Sequence, residues 1–207
     1  SKAAKADAIL SSNTSSFLPS VIAGVLNRPE HFAVAHYFSP PYLVPLVELV
    51  PGEKTASYVI DELENFYRSI GKEPVCLEKE ILGSIGNRLQ AAMMREALAL
   101  VEDGYAEPKA IDAVVKNTIG RRLAVAGPFE IWEQIGWDLV ETIAGELVKE
   151  ISNDLVLSPG FREKIFKGDL GAKSGHGYYD WDGDSIREFD ERVRQALVAL
   201  SDGESPG

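Results

Sequence analysis

The order of strand-like and helix-like segments is the feature that most constrains this chain. Over residues 1–84, short apolar segments with strand character alternate with segments of helical apolar spacing. This alternation is typical of an α/β layer, in which helices cover a sheet. From Ile85 onward the apolar residues recur at helical spacing. We therefore predict an α/β domain over residues 1–84, an all-helical domain over residues 85–200 and a tail over residues 201–207.

Charge and composition exclude several classes of protein. The 207 residues carry a formal net charge of −11, which argues against binding to nucleic acid or to anionic membranes. No apolar run reaches the roughly 18 to 20 residues of a membrane helix, and the first residues lack the apolar core of a signal peptide. The single cysteine, Cys76, cannot form an intrachain disulfide and suits a reducing, cytoplasmic compartment. We expect it to be a small buried hydrophobe in a strand.

Two of the strand-like segments carry an ionisable residue. His36 lies in "AVAHYF", and Glu48 lies in "LVPLVELV". A carboxylate in an apolar run is costly to bury unless something pairs with it. A histidine–carboxylate pair fixes the tautomer of the imidazole and raises its basicity, as a general base requires. We therefore expect the two side chains to lie within hydrogen-bonding distance; a structural histidine beside a strand glutamate is the alternative.

Polar residues also follow the first strand and open a long helix. The segment "SSNTSS", residues 11–16, comes directly after the first strand. Open α/β sheets bind ligands beyond the carboxyl ends of their strands, but polar turns are common there as well. The segment "GNRLQ" places Asn87 near the start of a helix, where asparagine is usually a cap. Considered singly, these residues leave both a structural and a binding role open.

Considered in order, the segments "SNTSS", "AHYFSPP", "PLVELV" and "GNRL" resemble the L-3-hydroxyacyl-CoA dehydrogenase family. That family includes the L-gulonate 3-dehydrogenase (lambda-crystallin-like) and carnitine dehydrogenase branches. The resemblance continues through "KSGHGYYDW" and covers roughly residues 7–182. It implies the closing strands and helices of a Rossmann-type NAD-binding domain, followed by a helical dimerisation domain like that of 6-phosphogluconate dehydrogenase.

The resemblance also implies roles for individual residues. His36 would take the proton of the substrate hydroxyl while a hydride leaves for NAD, and Glu48 would orient His36. Ser15 and Asn87 would hydrogen-bond the substrate oxygen and help to position the cofactor, and Asn13 would contribute to cofactor binding. No metal ion is implied.

One family motif is absent from the sequence. The nucleotide-binding domain of the family begins with G-x-G-x-x-G, which holds the NAD pyrophosphate at a helix start, and none of the 207 residues forms it. The resemblance places the first residues at the closing strands of that domain. At about 30 residues per βαβ unit, we expect roughly a hundred residues of Rossmann fold to be missing. We expect a chain of this length alone to be a poor dehydrogenase.

The substrate prediction depends on two segments that favour different branches. Arg121 and Arg122 precede "GPFE", and the gulonate and carnitine branches also place an arginine there. An arginine fork suits a free carboxylate, whereas an exposed, solvated pair is the alternative. The segment "GPFEIWEQIGWD" resembles the acyl-CoA enzymes instead. We favour NAD-dependent oxidation of a short-chain L-3-hydroxyacyl-CoA to the 3-ketoacyl-CoA.

Two other functions stay open. The first is an L-gulonate- or carnitine-type hydroxyacid dehydrogenase. The second is a non-catalytic fragment or dimerisation module. The segment "IWEQIGWDLVETIAGELV" is more apolar than one face of a surface helix requires, which favours a homodimer.

Overall fold

The computed structural model describes Lys5 and residues 7–202, without the side chain of Asp202. Most of the predicted tail, residues 203–207, lies outside the described residues, whereas Ser201 and Asp202 belong to the last helix. The described chain divides into two compact units. The first contains the residues up to Gln90 together with Arg194–Asp202, and the second is Ala91–Val193.

The first unit contains a four-stranded sheet. Its strands are β1 (Leu10–Ser12), β2 (Phe32–Tyr37), β3 (Leu46–Pro51) and β4 (Glu73–Cys76), and they lie in that order across the sheet. The pairs β1–β2 and β3–β4 are parallel, and β2–β3 is antiparallel. Each parallel pair is joined through a helix, α1 (Pro19–Ala23) or α2 (Ser57–Ser69), and a 3-10 turn (Pro29–His31) precedes β2. The predicted α/β order is confirmed.

The two central strands are buried on both faces. Because side chains alternate along a strand, β2 and β3 each supply apolar residues to two separate clusters. The cluster on the α2 side contains Ala33, Ala35, Val47, Leu49, Val59 and Leu63. The cluster on the other side contains Ala23, Phe32, Val34, Val50 and Leu77. His36 and Glu48 continue the second face, two residues beyond Val34 and two residues before Val50.

The named elements after β4 are all helices, as predicted from Ile85 onward, and the segment between the last two contains isolated β-bridges at Gly171, His176 and Asp180. They are α3 (Ser84–Glu102), α4 (Pro108–Asn117), α5 (Ile119–Leu123), α6 (Pro128–Ile135), α7 (Trp137–Glu150), α8 (Pro159–Lys167) and α9 (Gly183–Asp202). A search of the described helices finds none that combines the length and the apolar character of a membrane span.

Candidate active site

The pairing of β2 with β3 sets His36 directly opposite Glu48. Nδ1 of His36 lies 2.8 Å from Oε2 of Glu48, and the two side chains are 5% and 2% exposed. The predicted contact is therefore confirmed. Because a carboxylate only accepts hydrogen bonds, this geometry places the ring proton on Nδ1 and leaves the Nε2 lone pair available.

Ser15 occupies the other side of the imidazole. Its Oγ lies 2.9 Å from Nε2 of His36, so the hydroxyl donates to the free lone pair. Ser15 lies in the exposed turn after β1, which the hydroxyls of Ser12 and Thr14 stabilise by accepting from the N–H groups two residues later. The nitrogen with the free lone pair thus faces a hydroxyl group that lies in an exposed turn.

Asn13 joins this turn to the end of β2. Its Oδ1 accepts a hydrogen bond from the N–H of Tyr37 at 2.9 Å. The contact fixes the turn that carries Ser15 relative to the strand that carries His36. The side chain is otherwise exposed, and its cofactor-binding role stays a prediction.

Glu48 also holds the start of α3, a contact that sequence reasoning missed. Its Oε1 accepts from the N–H groups of Ile85 and Gly86, both at 2.9 Å. The chain reaches these donors through two residues with left-handed backbone, Gly83 (φ 82°) and Ser84 (φ 50°). The first N–H groups of a helix have no partner within the helix and favour a negative charge. Both carboxylate oxygens are therefore hydrogen-bonded, and the buried charge is compensated.

Asn87 is the fourth residue of α3, so the interpretation of this asparagine as a helix cap is wrong. The helix begins earlier because its first N–H groups bind Glu48. Asn87 is half-buried, and within the described part of the chain its side-chain amide makes no hydrogen bond. Since it follows Gly86 directly, Glu48 fixes the backbone next to Asn87 as well as the imidazole. Its substrate-binding role stays a prediction.

Arg121 lies in α5, in the second unit, and its side chain is exposed. Arg122 follows it in the same short helix and is also exposed. The carboxylate-binding role of Arg121 stays a prediction.

Cys76 is exposed, so its predicted burial is wrong. It is the last residue of β4, the strand at the edge of the sheet. Partial burial of the sulfur, together with a 3.5 Å hydrogen bond to Glu64, raises the pKa of the thiol to about 11. Such a thiol is almost entirely protonated at neutral pH and is a poor nucleophile. Among the described residues, no group of three or more His, Cys, Asp or Glu side chains could hold a metal ion.

The residues present fit the reactive end of a nicotinamide cofactor. Hydroxyl and amide groups of Asn13 and Ser15 follow the carboxyl end of a parallel strand, where open α/β sheets bind their ligands. Nε2 of His36 lies beside Ser15. The pyrophosphate motif is not part of this sequence.

The buried pair of His36 and Glu48 lies on adjacent strands of an α/β unit that helices follow, which is the arrangement that the sequence resemblance implied. The family profile described as "3-hydroxyacyl-CoA dehydrogenase, NAD binding domain" matches residues 1–81. The profile described as "3-hydroxyacyl-CoA dehydrogenase, C-terminal domain" matches residues 83–181. The chain belongs to the 3-hydroxyacyl-CoA dehydrogenase family. The predicted family, the fold class and the assignment of NAD as the family's cofactor are confirmed.

Individual relatives carry different substrate names. L-carnitine dehydrogenase from Staphylococcus epidermidis is 39% identical over 96% of this chain and 62% of its own length. A second relative is known from a crystal structure: 5-formyl-3-hydroxy-2-methylpyridine 4-carboxylic acid 5-dehydrogenase, an NAD⁺-dependent dismutase. Its sequence is 30% identical to this chain, and the two structures superpose with a TM-score of 0.91 over 93% of this chain and 62% of that one. The 3-hydroxyacyl-CoA dehydrogenase of Archaeoglobus fulgidus is 33% identical in sequence. Its crystal structure superposes with a TM-score of 0.65 over 94% of this chain and 68% of that one. The chain spans 27% to 63% of the length of curated relatives that it matches.

Proposed function

We propose that this protein catalyses the NAD-dependent oxidation of a substrate hydroxyl, with His36 as the general base. The observation that carries the proposal is a continuous set of hydrogen bonds. It runs from Ser15 through His36 to Glu48 and ends at the N–H groups of Ile85 and Gly86.

In the proposed reaction, Nε2 of His36 accepts the proton of the substrate hydroxyl. The Nδ1 proton stays hydrogen-bonded to Glu48, and the carboxylate stabilises the imidazolium that forms. NAD, when bound, accepts the hydride that leaves the carbon bearing the hydroxyl. Proton and hydride leave the same H–C–O–H unit, so the carbonyl product forms without a further reactant.

Ser15 and Asn87 position the substrate oxygen in this proposal. The Ser15 hydroxyl already lies at hydrogen-bonding distance from Nε2, where the reacting hydroxyl must come. Once that hydroxyl binds, Ser15 is free to donate to the substrate oxygen. The side-chain NH₂ group of Asn87 can donate to the same substrate oxygen. Asn87 directly follows Gly86, whose N–H donates to Glu48.

For the substrate, we propose a small hydroxyacid with a free carboxylate. Support comes from the substrates for which two relatives are named, L-carnitine and a pyridine carboxylate, and from the exposed guanidinium of Arg121. An L-3-hydroxyacyl-CoA is the second candidate, supported by the family description and by the Archaeoglobus relative.

A substrate panel separates the two candidates. The complete natural protein is assayed with NAD and L-carnitine, L-gulonate, the pyridine carboxylate or L-3-hydroxybutyryl-CoA. We expect the highest kcat/KM with a free carboxylate. Arg121→Gln should then raise KM for that substrate about 10- to 100-fold, the value of a lost charged hydrogen bond. Arg122→Gln is the matched control. Preference for the thioester, with no effect of Arg121→Gln, would refute the carboxylate proposal.

We also propose that the protein is a homodimer. The helices α6 and α7 leave large apolar side chains exposed, among them Phe129, Trp132, Trp137, Ile143 and Leu147. The three aromatic rings cluster with centroids 5.4 to 6.3 Å apart. Contiguous exposed apolar surface is typical of protein interfaces.

Sedimentation velocity tests the dimer. The complete protein is expected to sediment as a dimer at micromolar concentration, and Phe129→Glu, which adds a charge to the aromatic cluster, is expected to produce monomers. Leu155→Glu, at an exposed position outside α6 and α7, is the control and should stay dimeric. A wild-type protein that sediments as a monomer contradicts the proposal.

A further inference from the structure

The ring of Phe38 lies between His36 and the start of α3. Its centroid is 4.8 Å from that of the imidazole, with an interplanar angle of 72°. Its far end touches Gly86: a Cβ atom added to Gly86 would lie 2.5 Å from Cζ, 3.2 Å from Cε2 and 3.3 Å from Cε1 of Phe38. The ring reaches this position because residue 86 has no side chain.

Gly86 therefore takes part in two of the three contacts that restrain the imidazole. Its N–H donates to Glu48, which holds Nδ1, and its Cα leaves room for Phe38, which contacts the face or edge of the ring. The hydrogen bond to Glu48 fixes one atom of the ring but permits the ring to tilt about that atom. The hydrogen bond to Ser15 prevents the tilt only until a substrate hydroxyl replaces it.

We propose that Phe38 and Gly86 are positioning residues that keep Nε2 of His36 directed at the reacting proton when the substrate is bound. The inference rests on the proposed role of His36 as the general base. It adds a steric contact to the hydrogen bonds that already define the site.

The variant Gly86→Ala separates positioning from folding. Gly86 lies within α3 and its φ is not in the left-handed region, so alanine fits the backbone. The atoms that a methyl group would meet belong to the far end of a flexible side chain, which can move. To restore contacts of about 3.5 Å, the ring must shift by about 1 Å. The helix is preserved, but Phe38 leaves its place beside His36.

The test is a double-mutant cycle in the complete protein, with Gly86→Ala, Phe38→Ala and the double variant. We expect each single variant to lower kcat about 10- to 100-fold, as a misplacement of about 1 Å does, while KM and NAD binding stay unchanged. The double variant should be no slower than Phe38→Ala alone, because without the ring the methyl group has nothing to displace. Gly24→Ala is the matched control, since its Cβ would make ordinary contacts of 3.4 and 3.5 Å.

Nitrogen-15 NMR of the His36 ring supplies a readout without turnover. We expect a single sharp signal for each ring nitrogen of His36 in the wild type, with the proton on Nδ1. In Gly86→Ala we expect these signals to be broadened or split, because the ring adopts more than one orientation. Wild-type kcat and an unchanged spectrum for Gly86→Ala would overturn the inference, and so would effects that multiply in the double variant. If His36→Gln is fully active, the proposed function itself fails; if His36→Gln is inactive and Gly86→Ala is not impaired, only the positioning role fails.

Discussion

Replacement of His36 by glutamine is expected to lower kcat about 10²- to 10⁴-fold, the usual contribution of a general base. Glutamine is polar and can still donate a hydrogen bond to Glu48, but it cannot take the proton of a substrate hydroxyl. The phosphates of a dinucleotide bind at the start of a helix that follows a G-x-G-x-x-G motif. None of the 207 residues forms this motif. The affinity for NAD is therefore expected to change little.

Turnover and NAD affinity can be measured on the same samples of the complete protein, the second by fluorescence titration. His176→Gln is the matched control, because His176 is an exposed histidine paired with Asp180 at the surface. The control should retain the wild-type rate. A loss of NAD binding that accounts for the whole loss of rate in His36→Gln would contradict the assignment of His36 as the base.

Replacement of Glu48 by glutamine is expected to lower kcat on the order of 10⁴-fold, because it changes the tautomer of His36. The carbonyl oxygen of glutamine can accept from Ile85 and Gly86, which turns its NH₂ group towards Nδ1. Nδ1 must then accept, so the ring proton moves to Nε2. In that tautomer Nε2 cannot take a proton from the substrate.

The same substitution is expected to destabilise the fold. Glu48 is buried and accepts hydrogen bonds from the imidazole and from two N–H groups, so loss of its charge replaces three charge-assisted hydrogen bonds with weaker neutral ones. We expect the free energy of unfolding to fall by about 2 kcal/mol in urea titrations. Glu64→Gln, which breaks an exposed pair with Arg68, should cost less than about 1 kcal/mol. Equal stability and equal rates for the two variants would contradict the role of Glu48.

The contact between His36 and Glu48 could be predicted because its signal is local. Both residues interrupt apolar strand segments, and an ionisable group in such a segment needs a partner. The alternation of strands and helices is equally local, and it correctly indicated an α/β layer followed by helices. Residue type and spacing carried these predictions.

The contacts of Glu48 with α3 could not be predicted in the same way. They join residues 37 and 38 positions apart in the chain, and their donors are backbone N–H groups, which every residue except proline has. The left-handed conformation of Ser84 also carries no signal in its residue type. For this reason the sequence leaves a capping role open for Asn87, which the structure excludes because the helix already begins three residues earlier.

Cys76 shows the limit of the strand pattern. A small hydrophobic residue in a strand is usually buried, but β4 lies at the edge of the sheet and Cys76 is its last residue. The residue pattern predicts that a strand forms, but it does not predict whether that strand lies at the centre or at the edge of the sheet. Whether a residue of β4 is exposed depends on the order of the strands in the sheet, and that order depends on the whole α/β unit.

A single-turnover experiment shows most directly whether Nε2 of His36 takes the substrate proton. The complete protein, saturated with NAD, is mixed rapidly with its best substrate, and the first formation of NADH is followed by fluorescence. Because only one turnover occurs, product release does not limit the measured rate. For His36→Gln, we expect a rate at least about 10²-fold below that of the wild type. An equal rate for the two proteins would show that another group accepts the proton.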